Sequence, residues 1–170
     1  PDGIVFANIS ALATPEQASE AVRMLNADAL EVHLNPAQEL FMSEGDKDFR
    51  GLLDNMLRIR EGIDVPIIVK ETGCGIAKEE YARLKAAGFT CYDCAGAGGT
   101  NFPAIEAARY GKELTADFAG WGLPTAWTLL DGATTCTQDD ILIVSGGIRS
   151  ASQVAKAFAL GADLVGITGI

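Results

Sequence analysis

Histidine occurs once in this sequence, at position 33, so any chemistry that needs an imidazole is confined to one place. Positive charge is scarce as well. Lysine and arginine number 13 against 23 aspartates and glutamates, a formal net charge of −10. Such a balance disfavours non-specific binding to nucleic acid. It leaves room for a phosphate ligand, because backbone N–H groups at a helix start bind phosphate locally. No run of 18 or more apolar residues occurs, so no helical membrane span is expected. An initiator methionine is missing too. The chain opens on "PDGIVFANIS" and stops at "VGITGI", and both ends read as cuts through a larger domain. The composition is 48% hydrophobic and 21% charged over 170 residues. That suits one soluble globular unit with a core of its own.

Cysteines are few: Cys74, Cys91, Cys94 and Cys136. Cys91 and Cys94 form a C-x-x-C inside "GFTCYDCAG", which reads as a strand. Three positions apart on a strand means opposite faces, the wrong arrangement for one metal ion or a redox pair. Packed, reduced thiols in a cytoplasmic protein are the expectation.

Short apolar segments alternate with helical ones. Strands are predicted over 4–8, 29–35, 66–71, 90–95, 141–145 and 164–168. Most are near-continuous apolar runs, as parallel strands covered on both faces require. Thr14-Pro15-Glu16-Gln17 offers an N-cap, a proline at the first helical position and a capping-box glutamine. Ala18, Val22 and Leu25 then line one helix face. Ser150 to Gln153 repeats the capping box, with Val154, Ala157 and Phe158 inward and Gly161 as the stop. Phe49, Leu52, Leu53, Met56 and Leu57 make another stripe, ended by Gly62. Tyr81, Leu84 and Ala87 make one more, ended by Gly88.

Equivalent points on the first four strands lie about 25, 36 and 25 residues apart, roughly one β-α unit each. A longer glycine-rich connection with its own helices precedes the fifth. Polar residues stand at most of the C-terminal strand ends: Asn8, His33 with Asn35, Lys70, Thr100 just beyond a strand, and Ser145. An α/β fold follows, a (β/α)8 barrel present as about six of its eight strands. A doubly wound open sheet is the alternative.

Three stretches carry candidate chemistry. In "EVHLNPAQE", residues 31, 33 and 35 share one strand face. His33 and Asn35 point together, and Gln38 and Glu39 follow beyond Pro36. An imidazole and two amides can hydrogen-bond a polar ligand. Glu39 can hold a hard cation such as Mg²⁺ through oxygen. The bland reading is a capped strand end with solvated polar residues. In "PIIVKETGCG", Lys70 shares a face with Ile68 and either snorkels or holds an anion. In "SGGIRSASQ", a strand runs through Gly146-Gly147 into a capped helix. Bare backbone and a helix start suit a phosphate, and "GITG" repeats the pattern at Gly169. A phosphorylated cofactor such as FMN fits. Tight turns alone are the competing explanation.

Taken in order, "FANIS", "ADALEVHLNPAQELFMSEGDKDF", "PIIVKETGCGI", "AGAGGTNF", "GWGLPTAWTLL" and "SGGIRSASQVAKAFALGADLVGITG" resemble type 2 isopentenyl diphosphate isomerase, the FMN-dependent family. The resemblance covers nearly the whole chain. It implies interconversion of isopentenyl and dimethylallyl diphosphate with FMN reduced by NADPH and with Mg²⁺, in isoprenoid biosynthesis. It makes His33, Asn35 and Gln38 substrate-binding, Gln38 catalytic and Glu39 the metal ligand. It puts Asn8, Lys70, Thr100, Gly146, Gly147, Arg149 and Gly169 against FMN, with Lys70 near the pyrimidine edge. It also implies a homo-oligomer, tetramer or octamer, in the complete protein. The family carries an N-terminal basic, histidine-bearing segment and two further strands that have no counterpart in residues 1–170. The chain is therefore expected to be a partial barrel domain, strands three to eight of the parent. Its unpaired sheet edges make it inactive alone. An FMN-dependent oxidoreductase on a related barrel is the alternative function. It shares Lys70 and the glycine loop without needing Gln38 and Glu39. A barrel that uses only its phosphate loops, for PLP or a phosphosugar, is a third.

Overall fold

The computed structural model describes residues 3–168. Gly169 lies outside the described residues. Six strands run parallel: β1 (Phe6–Ser10), β2 (Ala29–Leu34), β3 (Ile67–Glu71), β4 (Cys91–Asp93), β5 (Ile141–Val144) and β6 (Leu164–Val165). Their order in the sheet is their order in the chain, with no reversal. A doubly wound sheet reverses its order at a switch point, so that alternative is overturned. Among the described residues, no pairing joins β1 to β6. All six predicted strands are present, displaced or shortened at their ends. The first starts at Phe6 rather than Ile4, and the fourth and sixth are only three and two residues long.

Among the described residues, eight helices connect them: α1 (Pro15–Leu25), α2 (Pro36–Phe41), α3 (Leu52–Glu61), α4 (Lys78–Ala86), α5 (Phe102–Arg109), α6 (Ala116–Ala119), α7 (Thr125–Thr135) and α8 (Ala151–Ala159). The α1 capping box forms as the sequence predicts. The Thr14 side chain accepts from the Gln17 N–H, and the Gln17 side chain accepts from the Thr14 N–H. In α8, Ser150 Oγ accepts from the Gln153 N–H, while the Gln153 side chain accepts from the Arg149 N–H and the Ser150 hydroxyl instead of the Ser150 N–H. Gly161 stops α8 in the left-handed region, at φ +105°.

The two sheet faces differ in kind. Ala7, Leu30, Val32, Val69, Tyr92, Cys94, Leu142 and Val144 belong to one continuous apolar core. Residues of α1, α3, α4, α7 and α8 join that same core, including Ala18, Met56, Leu84, Leu129 and Ala157. Each fully buried aliphatic or aromatic side chain here contributes about 1.5–3 kcal/mol. The opposite face has only a small apolar floor of Ala29, Ile68, Cys91 and Ile143. Cys91 and Cys94 therefore fall on opposite faces, both as free thiols.

Three sequence expectations are corrected. Leu25, expected on the apolar face of α1, and Phe158, predicted inward, are exposed, and Phe49 precedes α3 rather than sitting in it. Strand β2 ends at Leu34, and Asn35 caps α2 instead of continuing the strand. Among the described residues, no helix is long and apolar enough to cross a membrane.

Candidate active site

The floor opposite the helices carries a chain of polar contacts that crosses five strands. Register places Asn8 opposite Glu31, His33 opposite Lys70, and Lys70 opposite Asp93. The side chains then link. The Asn8 amide Nδ2 donates to Glu31 at 3.0 Å. That fixes its amide orientation, so Asn8 Oδ1 is the acceptor 2.7 Å from His33 Nδ1. His33 is consequently protonated at Nδ1, and Nε2 is the ring nitrogen left for a ligand. Lys70 pairs with Asp93 and stands 3.9 Å from Glu31. Asp93 also accepts from Ser145 Oγ at 2.7 Å and from the Ala95 N–H at 3.2 Å. Burial, reinforced by Lys70 and opposed by Glu39, keeps the His33 pKa below its ordinary value. The ring is neutral near pH 7.

Gln38 and Glu39 sit in the first turn of α2, where Pro36 occupies the start. Asn35 Nδ2 donates to Glu39 at 2.9 Å and to Gln38 Oε1 at 3.4 Å. The second Glu39 oxygen accepts from the Asp46 N–H at 2.9 Å, and Lys47 reaches the Glu39 carbonyl. The Gln38 amide donates to Glu106 on α5 at 3.1 Å. Glu106 is buried and is held in turn by Arg109.

At the far end, two glycine loops interlock. A methyl group at Gly147, where φ is +81°, would stand 2.1 Å from the Gly98 carbonyl oxygen. One at Gly146 would stand 2.3 Å from the Gly96 carbonyl oxygen. Thr125 Oγ1 ties down the Gly146 carbonyl at 2.6 Å. These glycines are therefore demanded first by the close passage of two backbones. Gly73 is bare for a similar reason, since a Cβ there would meet the Thr100 carbonyl oxygen at 2.7 Å.

One cavity of about 930 Å³ gathers these elements. Asn8, His33, Asn35, Gln38, Glu39, Lys70, Thr100, Gly146, Gly147 and Arg149 all line it. Of the site residues predicted from the sequence, only Gly169 is not placed there, because it lies outside the described residues. A second cavity of about 980 Å³ lies on the helical side, near Leu52, Leu84 and Trp121, and holds none of them. Among the described residues no three His, Cys, Asp or Glu side chains are grouped to hold a metal ion by themselves.

Sequence reasoning missed Glu31, Asp93 and Glu106 as parts of this site. Glu31 was legible through its two-residue spacing from His33. Asp93 lay hidden between two cysteines, and Glu106 on a helix with no catalytic motif. Glu71, at the end of β3, turns its carboxylate onto the backbone N–H groups of residues 72–75. Burial raises its pKa, and those four bonds oppose the rise.

No family model matches the chain. Similarity to individual proteins is extensive. A Bacillus pumilus protein is 47% identical over 169 residues, 99% of this chain and 47% of the relative. Proteins of Symbiobacterium thermophilum and Nocardia farcinica are each 46% identical, over 170 and 172 residues. They take in 99% of this chain and 47% and 46% of the relatives. All three relatives are isopentenyl-diphosphate delta-isomerases. The chain spans about half the length of the relatives it matches. Their names specify neither a type nor a cofactor, so the type 2, FMN-dependent designation drawn from the sequence is corrected to similarity to isopentenyl-diphosphate delta-isomerases alone. Among solved structures, an inosine 5'-monophosphate dehydrogenase from Legionella pneumophila covers 96% of this chain and 43% of its own, with a TM-score of 0.63. At 22% identity the likeness is one of fold alone.

Proposed function

We propose that the protein containing this chain is an isopentenyl-diphosphate delta-isomerase that works with reduced FMN, NADPH as its reductant, and Mg²⁺. The observation that carries the reading is the convergence of His33, Gln38, Glu39, Lys70 and the 146–149 loop on one cavity. The 46–47% identity to proteins of that name supports it. The oxidoreductase alternative is disfavoured by those names. We also read the in-order parallel sheet, with α1, α3, α4, α7 and α8 packed on one face, as an arc of a (β/α)8 barrel. Residues 1–170 form one partial domain of about six strands.

The residues present fit FMN in three respects. The cavity is large enough for a flavin, whose ring would meet the apolar floor at Ile143. Lys70 offers a cation beside that floor. Bare backbone at 146–147 leads into α8, a nine-residue helix whose N-terminus favours a phosphate. Asn8, Thr100 and Arg149 would hold the remaining polar edges. Reduced FMN, when bound, supplies the proton exchange that shifts the double bond.

The chain's own residues do the rest. A proton enters at one carbon and leaves from another, so the reaction needs no net oxidant. His33 and Asn35 would bind the diphosphate. Glu39 would hold Mg²⁺, with the phosphate oxygens completing its coordination, since Mg²⁺ is commonly held by one or two carboxylates plus phosphates. Gln38 has no charge and cannot titrate near neutrality, so it orients the carbon skeleton rather than acting as a lone base. Glu106 holds its amide in place. The test is turnover of isopentenyl diphosphate by the complete protein with reduced FMN and Mg²⁺. Product without stoichiometric NADPH consumption supports the isomerase. NADPH consumed in step with product would identify the oxidoreductase instead.

A further inference from the structure

Lys70 is the cation assigned to the flavin, yet it does not face the cavity alone. Its ammonium lies between two carboxylates, paired with Asp93 and 3.9 Å from Glu31. Asp93 is only 3% exposed. Its carboxylate is held from two other directions, by Ser145 Oγ at 2.7 Å and the Ala95 N–H at 3.2 Å. Ala95 itself stands at a positive φ of 33°, a conformation that costs energy for a residue with a Cβ. Four elements thus fix one carboxylate: β3 through Lys70, β4 itself, the turn after β4, and the end of β5. A lysine that needed only to snorkel would require none of this.

We propose that Asp93 is a positioning residue for Lys70. It pins the ammonium to the cavity floor and offsets part of its charge, so that the field offered to a flavin is weaker than a free lysine would give. Glu31 adds to the offset and is itself oriented by Asn8. The proposal rests on the FMN reading. Charge near a reducible ring acts mainly on its reduced, anionic form. The Asp93–Ser145 support therefore sets how readily the flavin is reduced and where Lys70 stands.

Two variants of the complete protein separate charge from position. Asp93→Asn keeps an acceptor oxygen for Lys70, turns its amide toward Ser145 Oγ, which can accept, and removes the negative charge. Its FMN midpoint potential should move to a more positive value, with affinity for oxidised FMN little changed. Asp93→Ala removes the anchor as well. Its Lys70 side chain should be displaced in a crystal structure of the flavin-free protein, and FMN affinity should fall about tenfold, the equivalent of 1.4 kcal/mol. An unmoved potential in Asp93→Asn, or an unmoved Lys70 in Asp93→Ala, overturns the proposal. If the wild type binds no FMN, the cofactor reading fails by itself, and the flavin-free structures still decide whether Asp93 pins Lys70.

Discussion

His33 and Lys70 face each other in register across β2 and β3, yet neither bonds to the other. Each is claimed by a different neighbour: His33 by Asn8 and Lys70 by Asp93. The site is thus a set of paired side chains whose free atoms, His33 Nε2 above all, are aimed by their partners.

That pairing makes His33 a pH-dependent ligand. With Nδ1–H committed to Asn8, a neutral ring offers Nε2 only as an acceptor, and a diphosphate offers no proton in return. Binding should therefore favour the imidazolium, which burial disfavours in the free protein. The KM for isopentenyl diphosphate should fall as pH is lowered from 8 toward 6, and His33→Gln should flatten that dependence. A wild-type KM that is flat across this range would remove His33 from the diphosphate site.

The same lowered pKa affects stability. Between the depressed folded value and the unfolded value of about 6.5, the unfolded chain binds more protons at this residue. Stability contributed through His33 is therefore present above that window and is lost as pH falls through it. Urea unfolding of wild type and His33→Gln at several pH values should show the variant losing less stability on acidification. Parallel curves would contradict this.

Lys70 and Asp93 should behave as a coupled pair. Lys70→Met leaves a buried carboxylate without its counter-charge and should cost about 3–5 kcal/mol of stability. Adding Asp93→Asn should recover much of that loss. Strict additivity in a double-mutant cycle would mean that the pair is not coupled. In a flavin titration, Lys70→Ala should also weaken FMN binding by roughly 1.5–3 kcal/mol.

Gln38 and Glu39, though adjacent, should fail differently. Glu39→Gln keeps the shape and the acceptor for Asn35 but removes the charge. It should raise the Mg²⁺ requirement and the apparent KM while FMN stays bound. Gln38→Ala should lower kcat with little change in Mg²⁺ dependence. The same Mg²⁺ shift in both variants would end this division of roles.

The glycine loops give a purely structural contrast. Gly147→Ala must place a methyl on the Gly98 carbonyl oxygen at a positive φ, whereas Gly51, also at positive φ, has nothing within 4 Å of its Cβ position. Gly51→Ala should cost about 1–3 kcal/mol from backbone strain alone, and Gly147→Ala clearly more. Equal midpoints in urea would show that the loops do not interlock.

The sequence by itself determined the strands, the order of β and α, and one line of candidate residues. Those features follow from short-range periodicity, the Thr14 and Ser150 caps and the residues at strand ends. Two-residue spacing already aligned Glu31 with His33, and three-residue spacing already separated Cys91 from Cys94. Only the tertiary structure decided between the chain-order sheet that a barrel requires and a doubly wound one, because both are built from the same run of strands and helices. It alone joined Asp93 to Lys70 and Ser145, and Glu106 to Gln38. Those partners lie 23, 52 and 68 residues apart, and no local pattern records a contact made by the return of the chain. It also left Leu25 and Phe158 exposed, since a helical stripe shows which face is apolar but not what lies against it.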